Sequence, residues 1–165
     1  MYGYPDSEGS SMRYQQLTFS CGPGAIVNAL RALGVRVDER RVRSLAGTTS
    51  DGTDEFGVIS AVRALGHTAS DFSGKSRNHA WRWLHGALLQ GSAVIISVDR
   101  WSHWVTCIGL LGDRVILIDP AKVQSNMREN GVHVLSKDRL ISRWRSSRKP
   151  KDNCYQAICI SKAKK

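Results

Sequence analysis

Two different hydrophobic patterns follow one another along this chain. Up to about residue 90, apolar side chains recur every three or four residues, which is the spacing of amphipathic helices. After Gly91 the pattern changes to short β-branched runs such as AVIISVD, HWVTCIGLL and RVILID, which are typical of strands. A helical half followed by a mostly antiparallel sheet half predicts an α+β fold. In such folds ligand sites often lie in the groove between the two halves.

Four helices are predicted in the first half. The first spans residues 22–33 and stops at Gly34. A second helix, in DERRVRSLAG, begins at a capping Asp38, and a third begins at a capping Thr53. A fourth spans about residues 80–89. The buried stripe of the third helix is predicted to consist of Phe56, Ile59, Val62 and Leu65.

The second half is predicted to fold into neighbouring strands. HWVTCIGLL and RVILID form a hairpin across Gly112 and Asp113. A strand in GVHVL, a short helix begun by Ser136 in SKDRLISRW, and a last strand in YQAICI complete the fold.

The length of 165 residues suits one domain with a single core. We expect a flexible arm over residues 1–13, one domain over 14–161 and a basic tail over 162–165. The N-terminus lacks the pattern of a cleavable signal, and no stretch approaches the ~18 apolar residues that a membrane helix needs. We therefore expect a cytoplasmic protein, although secretion without a classical signal is compatible with the sequence.

The net charge of +10 is concentrated near the C-terminus. Residues 1–136 carry 14 basic and 12 acidic side chains, a net +2, whereas residues 137–165 carry 10 basic and 2 acidic ones, a net +8. Such a segment could bind an acidic partner, either protein or nucleic acid. Alternatively, it is a solvated face that only aids solubility.

Four cysteines without a CxxC pair indicate neither a disulfide scaffold nor a zinc site. We expect no metal and no organic cofactor. One cysteine, Cys21, stands at the predicted start of the first helix, where backbone N–H groups and the helix dipole favour a thiolate. The Gly-Pro-Gly run after it lets the chain turn into the helix. Taken on its own, a cysteine such as Cys21 is more often a buried structural thiol.

His103 and Asp119 are the residues that could complete a catalytic group with Cys21. Both lie near the ends of the two hairpin strands. A three-residue loop at 111–113 would pair Asp119 with Val105, on the same face as His103 and within diagonal reach of it. A two-residue turn without a bulge would instead pair Asp119 with Thr106, on the opposite face. The constellation thus requires the longer loop or a bulge.

Three stretches together indicate a known family. YQQLTFSCGPGAIVNALRALGV, AGTTSDGTDEFGVISAVRALGH and GSAVIISVDRWSHWVTCIGLLGDRVILIDP resemble the papain-like cysteine peptidases that remove double-glycine leaders from bacteriocins. The resemblance runs from about Tyr14 to Ile160 and is most specific in its Gln-x5-Cys-Gly, His-Trp and Asp-Pro pieces. It implies a papain-like peptidase fold, with the nucleophile at a helix N-terminus packed on a mostly antiparallel sheet.

The resemblance also assigns roles to residues. Cys21 matches the nucleophile, His103 the base and Asp119 the orienting acid. Gln15 matches the glutamine of the oxyanion hole, with Gln16 as the alternative if the spacing slips by one. One departure from the family pattern is Ser20, because the family often has an acidic residue directly before Cys-Gly.

The resulting hypothesis is a stand-alone cysteine peptidase that cleaves a peptide or protein substrate through a thioester. The same constellation would serve an isopeptidase, a deamidase or an acyltransferase, including a secreted effector or toxin, because fold and triad do not choose the substrate. An alternative of another class is a nucleic-acid-binding module on an inactive papain-like shell.

Overall fold

Five helices and six strands form in the part of the chain that the computed structural model describes, residues 13–121, 131–145 and 155–162. The helices are α1 (Cys21–Ala32), α2 (Glu39–Leu45), α3 (Glu55–Ala64), α4 (Arg77–Leu89) and α5 (Lys137–Trp144). The strands are β1 (His67–Gly74), β2 (Ala93–Val98), β3 (His103–Leu111), β4 (Arg114–Ile118), β5 (Val132–Leu135) and β6 (Tyr155–Lys162). Most of the predicted arm, part of the basic segment and the end of the tail lie outside the described residues.

All strands belong to one antiparallel sheet with the order β1-β6-β2-β3-β4-β5. The predicted α+β class is confirmed. The strict order of a helical half and then a sheet half is wrong, because β1 lies between α3 and α4 in the sequence and pairs with β6 from His67↔Lys162 to Gly74↔Tyr155. Its polar sequence, HTASDFSG, carries little of the β-branched signal by which strands are recognised.

Helices cover both faces of the sheet, so the core has two layers. Side chains of α1, α2 and α3 pack on one face together with Ile95, whereas those of α4 and α5 pack on the other face together with Ile96. These neighbours point to opposite faces because successive side chains of a strand alternate. The strand β2 is therefore buried along its whole length, which explains its continuous apolar run.

The predicted third helix forms, but with a different cap and a different buried stripe. Asp54 rather than Thr53 is the N-cap, since its carboxylate accepts a hydrogen bond of 2.8 Å from the Gly57 N–H. Phe56 is 72% exposed, so its predicted burial is wrong. A glycine is required at position 57 because a Cβ there would overlap the carbonyl oxygen of Ala46 in the loop after α2.

The other helix boundaries shift slightly. The first helix begins at Cys21 itself, and the fourth begins at Arg77, where the hydroxyl of Ser76 caps it by accepting from the His79 N–H. Within the described residues, no helix combines the length and apolar character that a membrane crossing requires.

Candidate active site

Cys21 occupies the first position of α1, directly after the N-cap residue Ser20. At this position the N–H groups of the first turn have no acceptor within the helix, and their dipoles favour negative charge. Burial opposes ionisation of the thiol. A hydrogen bond with His103 and backbone hydrogen bonds from Trp104 and Gly22 outweigh burial, so the pKa of Cys21 is lowered from its ordinary value of 9.0. The side chain remains partly exposed, as a nucleophile must be.

The imidazole of His103 lies between Cys21 and Asp119. Its Nε2 is 2.6 Å from Oδ1 of Asp119, which leaves Nδ1 as the ring atom for the thiol. Burial disfavours a charged imidazole, but the hydrogen bonds and charges of the two neighbours reverse this effect and raise the pKa of His103 from 6.5 to about 9. The imidazole of His103 is therefore favoured in its protonated form near neutral pH, and its charge favours ionisation of the neighbouring thiol.

Asp119 reaches this position through a β-bulge. The hairpin turn has only two residues, since Leu111 pairs with Arg114, so the three-residue loop is wrong. The register then shifts between Cys107 and Gly109, and Thr106 pairs with Ile118. Continued by one residue, this register sets Asp119 opposite Val105, on the face of His103.

Backbone groups around Asp119 hold its carboxylate in place. Its own N–H donates to the carbonyl of Gly131 at 2.8 Å, and Oδ1 accepts from the Ala121 N–H at 3.0 Å. Burial favours the neutral acid, but the hydrogen bond and charge of His103, with smaller contributions from Ala121 and Arg143, lower the pKa of Asp119 below its ordinary value. Asp119 thus remains ionised and orients the imidazole.

Gln15 lies against the first turn of α1. Its N–H donates to the carbonyl of Pro120 at 2.7 Å, and a Cβ on Gly24 would lie 3.2 Å from its Cβ and 2.9 Å from that of Pro120. The side-chain N–H₂ donates to the carbonyls of Leu17 at 2.7 Å and Thr18 at 2.9 Å, while Oε1 is buried without a partner among the described residues. The alternative, Gln16, accepts a hydrogen bond from α2 and is held on that side.

The glycines after Cys21 are needed for space rather than for backbone conformation. Gly22 and Gly24 are both absent from the residues with a positive φ, and both lie inside α1. A Cβ on Gly22 would lie 2.8 Å from the Cβ of Thr53, and Gly24 sits against Gln15 and Pro120 as described above. The expectation that these glycines serve a turn into the helix is therefore wrong.

Comparison with known proteins places the chain in a family. A model of the Peptidase C39 family matches residues 10–145. The chain belongs to the Peptidase C39 family. This membership confirms the resemblance inferred from the sequence and the prediction of an enzyme of the cysteine peptidase class.

A curated relative and two solved structures define the relationship of this C39 peptidase to known proteins. The Lactococcin-G-processing and transport ATP-binding protein LagD of Lactococcus lactis is 34% identical over 109 residues, which are 66% of this chain and 15% of the relative. The peptidase domain of Streptococcus ComA has a TM-score of 0.68 at 20% identity and covers 94% of this chain and 100% of its own. A double glycine motif protease from an AMS/PCAT transporter, solved with its leader peptide, has a TM-score of 0.62 at 21% identity and covers 89% and 86%. The two structures confirm the papain-like fold, and the match spans under a sixth of LagD.

Two functional candidates of this C39 peptidase carry no signal in the sequence. Glu39 looks like an ordinary acidic residue in the first turn of a helix, yet it is 5% exposed and binds the loop before Cys21. Arg143 looks like one of several cations on α5, yet it lies 3.7 Å from Oδ2 of Asp119. Both relationships depend on tertiary packing, which a local pattern does not encode.

Glu39 places a carboxylate next to Ser20, the position at which the family often has an acidic residue. Its Oε1 accepts a hydrogen bond of 2.6 Å from the hydroxyl of Ser20, and both oxygens accept from the Gln16 N–H at 3.1 and 3.0 Å. Arg43 pairs with Oε1 at 3.1 Å. The loop between Gln15 and Cys21 is therefore anchored on a buried carboxylate.

Metal binding finds no support in the described parts of the chain. Within residues 13–121, 131–145 and 155–162, no group of three or more His, Cys, Asp or Glu side chains is arranged to hold a metal ion. The groups gathered around Cys21 are instead those of acid–base and nucleophilic chemistry.

Proposed function

We propose that this C39 peptidase hydrolyses peptide bonds with Cys21 as nucleophile, His103 as acid and base, and Asp119 as the orienting group. The observation that carries the proposal is the continuous hydrogen-bonded series from the thiol through the imidazole to the carboxylate at the start of α1. Three residue types that are individually common become a catalytic arrangement when they are joined in this order.

The proposed reaction has two halves. The Cys21 thiolate attacks the carbonyl carbon of the scissile bond, and the protonated His103 gives its proton to the leaving amine as the C–N bond breaks. A thioester remains on the sulfur. His103, now neutral, takes a proton from water as the water oxygen attacks the thioester, and the carboxylic acid leaves as the C–S bond breaks, which restores the thiolate and the protonated imidazole.

The negative oxygen of each tetrahedral intermediate requires hydrogen-bond donors. The backbone N–H of Cys21 lies in the first turn of α1, where the helix offers it no acceptor. We assign the second donor to the side chain of Gln15, which must then exchange its bond with Leu17 or Thr18 for the oxyanion. One such donor is worth about 3 kcal/mol in the transition state.

A peptide is the substrate class that we propose. The names of the relatives support it, because LagD is named for lactococcin G processing and the AMS/PCAT protease was solved with a leader peptide.

Selective alkylation tests the nucleophile without requiring a known substrate. At about pH 6, we expect iodoacetamide to label Cys21 stoichiometrically and faster than the other cysteines. We expect His103→Ala to slow this labelling. Cys107 is a matched internal control, since burial raises the pKa of its thiol. Equal and slow labelling of all cysteines would contradict the proposal.

A peptide library then tests the reaction. Wild-type protein and Cys21→Ala are incubated with the library, which includes peptides containing a double glycine, and products are identified by mass spectrometry. We expect cleavage by the wild type only. Selective Cys21 labelling without cleavage, together with release of ammonia or amide exchange, would indicate a deamidase or acyltransferase instead.

A further inference from the structure

The turn that precedes His103 has an unusual backbone. β2 ends at Val98, which pairs with His103 at the start of β3, and the residues between them include three consecutive non-glycine residues with positive φ. These are Asp99, Arg100 and Trp101, with φ of 54°, 63° and 64°. Such a conformation is strained for a residue with a side chain and persists only where the surroundings enforce it.

Arg143 holds this turn from α5. Its Nη2 lies 2.9 Å from Oδ2 of Asp99 and its Nε lies 3.3 Å from Oδ1, so the guanidinium contacts both carboxylate oxygens. The carbonyl oxygen of Arg143 also accepts from the Asp99 N–H at 2.9 Å. Side chain and backbone of one residue thus fix the first residue of the turn.

The same guanidinium faces the carboxylate of Asp119. Nη2 lies 3.7 Å from Oδ2, whereas Oδ1 is occupied by His103 and by the Ala121 N–H. Arg143 therefore lies between the residue that orients His103 and the turn from which His103 emerges. A planar guanidinium with several donors can serve both carboxylates, which a lysine ammonium cannot do in the same geometry.

We propose that Arg143 is a positioning residue, which holds the turn at Asp99 and the carboxylate of Asp119 together so that His103 stays aligned between Asp119 and Cys21. This inference rests on the proposed function for its catalytic meaning. Its structural content, the alignment of His103, can be measured without a substrate.

Among the described residues, few other charges complicate the test. Within that part of the chain, the groups facing Arg143 are Asp99 from the turn and Asp119 after β4, and those facing His103 are Asp119 and Cys21 from α1. The contacts between α5 and α4, Arg77 with Asp138 and Lys137 with Asn78, lie at the first turn of α5.

Charge and position predict opposite changes on removal of Arg143. If Arg143 acted only as a nearby positive charge, Arg143→Gln would make protonation of His103 easier and raise its pKa above about 9. If Arg143 positions His103, the variant weakens the bond to Asp119, and the pKa of His103 falls toward 6.5. The sign of the shift therefore separates the two roles.

The experiment follows the His103 ring by NMR titration in the full chain and measures the rate of Cys21 alkylation against pH. The variants are Arg143→Gln, Arg143→Lys and, as a matched control, Arg139→Gln, because Arg139 is exposed on the same helix. We expect the pKa of His103 to fall by about one unit or more in both Arg143 variants and to be unchanged in Arg139→Gln. Alkylation at about pH 6 should slow as the thiol pKa rises, by up to about tenfold with each unit.

The outcomes distinguish the inference from the proposed function. A His103 pKa that is unchanged or raised in Arg143→Gln overturns the positioning role. If Arg143→Gln does not fold, Arg143→Lys decides in the same way, since it keeps the charge and loses the planar contacts. If wild-type Cys21 is not labelled selectively and His103 titrates near its ordinary value, the proposed function fails, whatever the Arg143 variants show.

Discussion

Asp119 lies with its Oδ1 only 2.6 Å from Nε2 of His103, although the tight hairpin turn between their strands would by itself put the two residues on opposite faces of the sheet. One extra residue in β3, between Cys107 and Gly109, restores the shared face. Bulges of this kind re-aim a side chain at a functional site. The pairing of His103 with Asp119 has consequences for stability as well as for chemistry.

The first prediction concerns the pH dependence of stability. The pKa of His103 is raised in the folded protein, so the stability gained from its protonation is fully present below pH 6.5 and is lost as the pH rises through about 9. The pKa of Asp119 is lowered, so the stability gained from its ionisation is present above its ordinary pKa of 3.8 and is lost as the pH falls through its lowered value. The pair should therefore stabilise most between about pH 4 and pH 6.5.

Asp119→Asn tests this window, because it keeps the shape of the side chain and removes the charge. We expect the difference in free energy of unfolding between wild type and variant to be largest in that window and to shrink toward pH 9, as measured by urea denaturation at several pH values. Asp113→Asn, in the hairpin turn of the same strand pair, is the control. A difference that stays constant from pH 5 to pH 9 would show that the pair is not charged in the folded protein.

The fold class and the candidate residues Cys21, His103 and Asp119 could be predicted from the sequence because each has a local signal. Apolar periodicity locates most helices and strands, and the Cys-Gly, His-Trp and Asp-Pro pieces stand at element ends where side chains become available. Family membership supports the resemblance on which the roles of Cys21, His103 and Asp119 rest.

What the sequence did not reveal depends on contacts between distant segments. The strand β1 is polar and is defined by pairing with β6, about 90 residues away in sequence. Phe56 follows the helical period but lies beyond the edge of the packed face, and is exposed. No residue pattern marks the bulge that places Asp119. The sequence therefore showed that a bulge or a longer loop was required, but not which of them forms.

The second prediction concerns the buried carboxylate of Glu39. Glu39→Gln keeps the size of the side chain but replaces one acceptor oxygen by a donor that faces the Gln16 N–H, the Ser20 hydroxyl or Arg43. We expect a loss of about 1–3 kcal/mol in the free energy of unfolding. Alkylation of Cys21 should also slow, because the affected loop leads into α1.

A matched variant measures the general effect of a charge at a helix start, so that it can be subtracted from the effect of Glu39→Gln. Glu55→Gln alters the first residue of α3, as Glu39→Gln alters the first residue of α2, so both lose a similar interaction with the helix dipole. Glu55→Gln should cost about 0.3–1 kcal/mol and leave the alkylation rate unchanged. Equal effects of the two variants on stability and alkylation would show that Glu39 acts only as an acidic residue at a helix start and does not anchor the loop before Cys21.

The last prediction compares two helical glycines that have different space around them. Gly24 has the Cβ atoms of Pro120 and Gln15 within 2.9 and 3.2 Å of where its own would be, whereas Gly86 in α4 has nothing within 4 Å. Gly86→Ala should raise the free energy of unfolding by up to about 1 kcal/mol, because alanine is the better helix former. Gly24→Ala should lower it by about 1–3 kcal/mol through overpacking, and should slow Cys21 alkylation, since Pro120 directly follows Asp119. Thermal unfolding and alkylation of the two variants, measured side by side, test both effects. If Gly24→Ala stabilises the protein as much as Gly86→Ala does, Gln15 is not held against α1 as described.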